Sequence, residues 1–152
     1  MNTESFAVVK PKQFIDELND EKILAAIAAA ERKTSGEIRV YVSDEPVEDV
    51  IAAGQRQFVR LAMQKTEHRN GVLLYFAPRV QRFAIVGDKG IHEKVGGTYW
   101  QEITRQMAPL LKEGKFTEAA VEAIEKIGGV LAEHFPRAPD DRNELPDTIV
   151  RG

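Results

Sequence analysis

The segment VLLYFA (residues 72–77) is apolar at every position, and this pattern decides the fold. A strand with two apolar faces is covered from both sides, as the central strand of a layered α/β domain is. It is followed by a turn at residues 78–81 and by Arg82–Val86, which is predicted to return beside it as an antiparallel hairpin. The segment therefore predicts a sheet that has helices on both faces.

The residues before this strand predict a helix, a strand and a second helix. Asn19 and Asp20 are both suitable N-caps for a helical pattern over residues 21–33. Residues 37–43 then alternate between apolar and polar side chains, which is typical of a strand. A second helix is predicted to open at residues 44–46 and to lead back to the central strand. The two strands should therefore be parallel, with a right-handed crossover between them.

The residues after the hairpin predict further helices. A short turn is expected at residues 91–95, before a helix that Pro109 should kink or end. Thr117 is predicted to cap the last helix, which ends at Pro136. Gly128-Gly129 lies in the middle of this helix, where glycine is unfavourable, and close packing is the usual reason to keep it there.

These elements predict a single α/β domain with one mixed sheet of three to four strands sandwiched between helices. We expect an N-terminal segment at residues 1–18, the domain at 19–136 and an extended tail at 137–152. Leu145 and Ile149 are expected to hold the tail against the domain.

Composition excludes several classes of function. The chain has no cysteine and three histidines among 152 residues, which excludes disulfides, thiolate chemistry and iron–sulfur clusters and disfavours an imidazole-rich metal site. A net charge of −3 gives no general attraction for nucleic acid. No segment reads as a signal peptide or a membrane span, so we expect a soluble cytoplasmic monomer that contacts no nucleic acid. No phosphate-binding loop, dinucleotide motif or nucleophile elbow is present.

The predicted topology collects polar residues at one edge of the sheet. The two parallel strands begin at Glu37 and Asn70-Gly71, and the antiparallel strand ends at Asp88, with Glu93 a few residues beyond. Carboxylate and amide oxygens suit a hard cation such as calcium. The predicted ligands are Glu37, Asn70, Asp88 and Glu93.

A purely structural interpretation of the same residues stays open. Glu37 could pair with Arg39 or Arg69, Asp88 could cap the turn at Gly90, and Asn70-Gly71 could be a tight turn.

Three ordered segments together resemble the TPM domain, the family named after a thylakoid lumen protein, a photosystem II repair protein and a nematode receptor modulator. They are TSGEIRV (residues 34–40), TEHRNGVL (residues 66–73) and IVGDKGI (residues 85–91). The resemblance extends from about residue 19 to residue 136. It implies an α/β sandwich, and the chain looks like a stand-alone bacterial form because it shows neither the leader nor the glycine-rich or transmembrane tail of many bacterial members.

The resemblance also implies a function. Calcium and related cations are ligands within the family, and Glu37, Asn70 and Asp88 are the matching positions. We therefore expect a calcium-binding module with no organic cofactor, in which the cation orders the Gly87–Gly96 loop and presents it to a protein partner. The alternative is an acid phosphatase, an activity ascribed to the plant member, with metal-bound water and with Arg69 or Lys89 near the phosphate. A domain with a purely structural role is the third interpretation.

Overall fold

The computed structural model describes residues 3–5, 11–137 and 149–152, which contain six α-helices, two short 3-10 helices (Met63–Lys65 and Pro78–Val80) and five strands. The strands are β1 (Thr3–Ser5), β2 (Glu37–Val42), β3 (Gly71–Ala77), β4 (Arg82–Gly87) and β5 (Ile149–Arg151). The helices are α1 (Pro11–Glu17), α2 (Asp20–Glu31), α3 (Val50–Arg60), α4 (Lys89–Val95), α5 (Thr98–Lys112) and α6 (Phe116–His134). None of these described helices has both the length and the hydropathy that crossing a membrane requires.

The five strands form one mixed sheet in the order β1-β4-β3-β2-β5. β2 runs parallel to β3, with Glu37 opposite Gly71. β3 runs antiparallel to β4, with Val72 opposite Gly87. The predicted mixed sheet is confirmed, together with its buried central strand, its parallel pair and its hairpin.

The two edge strands come from the segments that the sequence analysis placed before and after the domain. β1 pairs with β4, and β5 runs parallel to β2 with Ile149 opposite Val40. Ile149 also packs against the larger core, as expected for the tail, whereas Leu145 lies outside the described residues. Three-residue strands are too short to show alternation, so the sequence pattern alone did not reveal them.

Two apolar layers cover the sheet, one on each face. Ile38, Val40, Val72 and Leu74 belong to the larger core, which they form with α1, α2, α5 and α6. Tyr41, Leu73 and Tyr75 face the other way and pack with residues of α3. Consecutive residues of β2 and β3 thus enter opposite cores, which is the alternation expected of strands inside a sandwich.

Two segments differ from the structure that the sequence predicts for them. α3 starts at Val50 rather than near Pro46, because the Asp49 side chain accepts a hydrogen bond from the backbone N–H of Ala52 (3.1 Å) and caps the helix there. The segment expected to be a loop at Gly87–Gly96 is mostly helical, since it contains α4.

α5 and α6 also correct the sequence analysis. Pro109 lies inside α5, which continues to Lys112. The stripe of Ile103, Met107 and Leu111 is buried, and its packing outweighs the missing hydrogen bond of the proline. Thr117 does not cap α6, because its hydroxyl donates to the Glu17 carbonyl (3.1 Å) and so ties α6 to the end of α1.

Gly128 lies where α6 packs tightly against α2. A Cβ atom built on Gly128 would lie 2.6 Å from the Cβ of Ala30, whereas a Cβ on Gly129 would meet no atom within 4 Å. Close packing therefore explains the first glycine of the pair. The structure offers no packing reason for the second.

This difference predicts opposite effects of the same substitution at adjacent positions. Gly128→Ala should lower the free energy of unfolding by about 1–3 kcal/mol, because the helices must separate to admit the methyl group. Gly129→Ala is the matched control and should raise it by about 0.5–1 kcal/mol through helix propensity. Urea unfolding of both variants measures these changes. Equal destabilisation at the two positions would contradict the packing account.

Candidate functional site

The polar edge, which we define as residues 34–37, 66–71 and 87–93, is joined by backbone hydrogen bonds. The N–H of Asp88 donates to the Gly71 carbonyl (3.0 Å) and the N–H of Gly90 donates to the Arg69 carbonyl (3.0 Å). On the other side of β3, the N–H of Glu37 donates to the Asn70 carbonyl (3.4 Å). These bonds bring the starts of β2 and β3 together with the end of β4, as the topology predicted.

Glu37, Gly71 and Asp88 lie side by side in one row across the sheet. Glu37 is opposite Gly71, and Asp88 follows Gly87, which is opposite Val72. Neighbouring strands are ~4.8 Å apart, so the Cα atoms of Glu37 and Asp88 are separated by about 10 Å. Both side chains are buried, with 2% and 6% of their surface exposed.

Strand alternation places the two carboxylates on the same face. Glu37 alternates with Ile38 and therefore shares the face of Tyr41, which belongs to the smaller core. Gly87 faces Trp100 in the larger core, so Asp88, whose backbone is extended, faces the smaller core. Gly71 between them carries no side chain. We call this arrangement the carboxylate row (Glu37, Gly71 and Asp88).

The Asp88 carboxylate is held by three donors. Arg69 forms a two-pronged (bidentate) contact with it, in which Nε donates to Oδ2 (2.7 Å) and Nη2 donates to Oδ1 (2.8 Å). The backbone N–H of Lys89 donates to Oδ1 (2.8 Å) and makes Asp88 the cap of α4. The hydrogen bond to Asp88 raises the pKa of Arg69 above its usual value, because it stabilises the charged guanidinium. The structural interpretation is thus confirmed for Asp88, which caps the segment that contains Gly90.

The turn before β3 directs Arg69 towards Asp88. Arg69 has a left-handed backbone conformation, with a φ of 50°, that non-glycine residues adopt uncommonly. The Thr66 hydroxyl accepts a hydrogen bond from the N–H of Asn70 (3.1 Å) and supports this turn. Gly90 lies directly on it, since a Cβ at that position would be 2.3 Å from the His68 carbonyl oxygen. No larger residue fits there, so α4 is held against the turn.

Asn70 is completely buried and only half of its amide is satisfied within the described residues. Nδ2 donates to the Ser35 hydroxyl (3.2 Å), whereas Oδ1 has no hydrogen-bond partner among those residues. Turning the amide around would only exchange which atom lacks a partner, since Ser35 is the group it meets. A buried polar atom in this state is costly unless water or a ligand reaches it.

A polar cavity of about 410 Å³ lies beside Ser35, where α4 and the end of α6 meet. Its wall includes Ser35, His68, Glu93, Lys94 and His134. Asn70 thus reaches the cavity wall through its bond to Ser35, and Glu93 is on the same wall. The four predicted cation ligands therefore fall into two groups: the structure brings Glu37 and Asp88 into one row and associates Asn70 and Glu93 with the cavity.

The structure also places Lys89 and limits the number of carboxylates that a metal ion could use. Lys89 is exposed, and its backbone rather than its ammonium contacts Asp88. Within the described residues there is no group of three or more His, Cys, Asp or Glu side chains that could hold a metal ion. A cation on the carboxylate row would therefore have two protein carboxylates and would keep water in its shell. The ligand set stays a prediction.

Glu31 is a buried residue of this edge that the sequence analysis did not identify. Glu31 is 5% exposed, and its Oε2 accepts a hydrogen bond from the backbone N–H of Ile38 (2.9 Å). The signal was present in the spacing, because residue 31 continues the buried i, i+4 series of Ile23 and Ile27. A third buried carboxylate therefore supports the start of β2.

Comparison with known proteins finds one matching domain family and a similar solved structure. The TPM domain family matches the chain over residues 8–130. Among solved structures, the fold is similar to the NMR structure of BA42 from the psychrophilic bacterium Bizionia argentinensis, with a TM-score of 0.82 and 40% sequence identity. That match covers 90% of this chain and 96% of BA42. No curated protein matches the sequence.

The ion pair at the polar edge predicts a stability difference between two aspartates. Asp88→Asn should lower the free energy of unfolding in EDTA by about 1–3 kcal/mol, because a buried charge-assisted contact is lost. Asp44→Asn is the control: Asp44 is 73% exposed and lies 3.8 Å from Arg79, so its loss should cost under about 0.5 kcal/mol. Urea unfolding compares them. Equal effects would mean that the Asp88 contact contributes no more than a surface pair.

Proposed function

This chain belongs to the TPM domain family, and we propose that it acts as a divalent-cation binding module whose ion lies on the carboxylate row. The observation that carries the proposal is the placement of two buried carboxylates, Glu37 and Asp88, on the same face on either side of a glycine. Burying carboxylates is costly unless cations or hydrogen-bond donors compensate them. Asp88 has such a partner in Arg69, and a divalent ion between the two side chains would lie against both carboxylates.

The donor chemistry of the row supports a hard cation. Glu37 and Asp88 offer four carboxylate oxygens, and the Met63 carbonyl oxygen lies 3.0 Å from the point where a Gly71 Cβ would be. Calcium binds 6–8 oxygens and tolerates irregular geometry, so these atoms together with water fit its preferences. Magnesium demands a regular octahedron and is the natural comparison ion. When bound, the ion would supply charge compensation at this edge.

Asn70 and Glu93 support the proposal less directly. The Asn70 Oδ1 atom has no hydrogen-bond partner among the described residues and is an oxygen that a cation could use, but the amide contacts Ser35 rather than the row. Glu93 is exposed at the cavity wall. We therefore assign the ion to Glu37 and Asp88 and retain Asn70 and Glu93 as outer members of the predicted set. The monomeric state and the protein partner stay predictions.

Acid phosphatase activity is the second candidate. The observation that favours it is the presence of Arg69, 38% exposed, and of exposed Lys89 next to Asp88. Cationic groups of this kind stabilise a transferring phosphoryl group when a metal-activated water attacks it. Turnover of p-nitrophenyl phosphate by the calcium-loaded protein tests this candidate. Activity that persists unchanged in Asp88→Asn, with the fold intact, would exclude the carboxylate row as its source.

Thermal unfolding tests cation binding directly. Calcium at 100 times its dissociation constant should stabilise the protein by about 2.7 kcal/mol, which raises the melting temperature by about 5–10 °C for a chain of this size. Glu37→Gln and Asp88→Asn should abolish the shift, whereas the exposed Asp44→Asn should retain it. An equal shift in melting temperature with magnesium would show that the site does not select calcium. The absence of any shift at millimolar calcium, measured against EDTA, would refute the proposal.

A further inference from the structure

We propose that Arg69 is an internal competitor for the cation. Its guanidinium occupies Asp88 in the cation-free protein and leaves when a divalent ion binds, so this residue sets the affinity of the site. The inference rests on the proposed function and extends it from the ligands to their regulation. It concerns a residue that belongs to the turn before β3, not to the carboxylate row itself.

The first argument is the occupancy of the Asp88 oxygens. A carboxylate has about four lone-pair positions, and Arg69 and the N–H of Lys89 already use three of them. Both oxygens are engaged by the same guanidinium. A cation that binds Asp88 through either oxygen must therefore displace at least one of the Arg69 contacts.

The second argument is the unequal exposure of the two partners. The Arg69 side chain is 38% exposed, whereas that of Asp88 is 6% exposed. A partly exposed guanidinium can turn into solvent and be hydrated there. A buried carboxylate cannot do so and needs a replacement charge. Exchange of Arg69 for a divalent ion satisfies both requirements.

The third argument is that the backbone of the turn does not depend on the ion pair. The Gly90 N–H to Arg69 carbonyl bond (3.0 Å) and the Asn70 N–H to Thr66 hydroxyl bond (3.1 Å) hold the turn independently. Asp88 is itself fixed by its N–H bond to Gly71 (3.0 Å). The Arg69 side chain can therefore leave while the row keeps its geometry. Competition, rather than refolding of the loop, is the expected response.

Isothermal titration of calcium into wild type, Arg69→Gln and Arg69→Lys tests the competition. Removal of the guanidinium should tighten calcium binding by about tenfold, the size expected for one charge-assisted contact. Lysine keeps the charge without the two-pronged geometry and should give an intermediate affinity. Arg105→Gln is the matched control, because Arg105 pairs with Glu102 (3.2 Å) on an exposed face, and it should bind as wild type does.

Unfolding measured with and without calcium separates competition from simple destabilisation. Arg69→Gln should be less stable than wild type in EDTA, and calcium should restore the difference. A purely structural role for Arg69 predicts the same loss with and without calcium.

The outcomes distinguish this inference from the proposed function. Wild type and Arg69→Gln binding calcium equally well would overturn the competition and leave the cation module standing. Binding by neither protein would overturn both. Binding by Arg69→Gln alone would support the competition and refute cation binding as a property of the natural chain. Should Arg69→Gln fail to fold, the wild-type Arg69 Nε–H resonance decides: calcium should shift it, and an unchanged signal at saturation would contradict release.

Discussion

The burial of β3 on both faces is the constraint on which the rest of the structure depends. Because residues 71–77 are buried throughout, the strand needs a neighbour on each side and a helical layer above and below. Polar groups are then excluded from its length and collect where it begins, together with the start of β2 and the end of β4. The polar edge is therefore a consequence of the central strand, and its charges have to be compensated there.

Charge compensation links the ion pair to the proposed function. Glu31, Glu37 and Asp88 are three buried carboxylates near the starts of β2 and β3 and the end of β4. The backbone N–H of Ile38 donates to Glu31 and that of Lys89 donates to Asp88, and Arg69 supplies a positive charge to Asp88. In the proposed function, an external cation takes the place of the arginine at this edge. The stability of this edge and the proposed cation binding would then both depend on compensation of the Asp88 charge.

The sequence was sufficient for the features that rest on repeating patterns. Alternation over residues 37–43 and the apolar run 72–77 predicted the parallel pair, and hence the polar edge. The two-pronged Arg69 contact could not be read in this way, because it depends on a left-handed backbone at a residue other than glycine. The sequence did not reveal β1 and β5, because a three-residue strand is defined by its hydrogen bonds to a neighbouring strand and is too short to show an alternating pattern. Pro109 does not end α5, because the packing of the buried stripe outweighs the local propensity.

A crystal structure of the protein grown with calcium tests the central claim most directly. The account predicts an ion bound by both Glu37 and Asp88, at about 2.3–2.6 Å from their oxygens, with the Arg69 guanidinium turned away into solvent. The backbone of the turn and of α4 should stay where it is. An intact contact between Arg69 and Asp88, with no ion on the carboxylate row at saturating calcium, would contradict it.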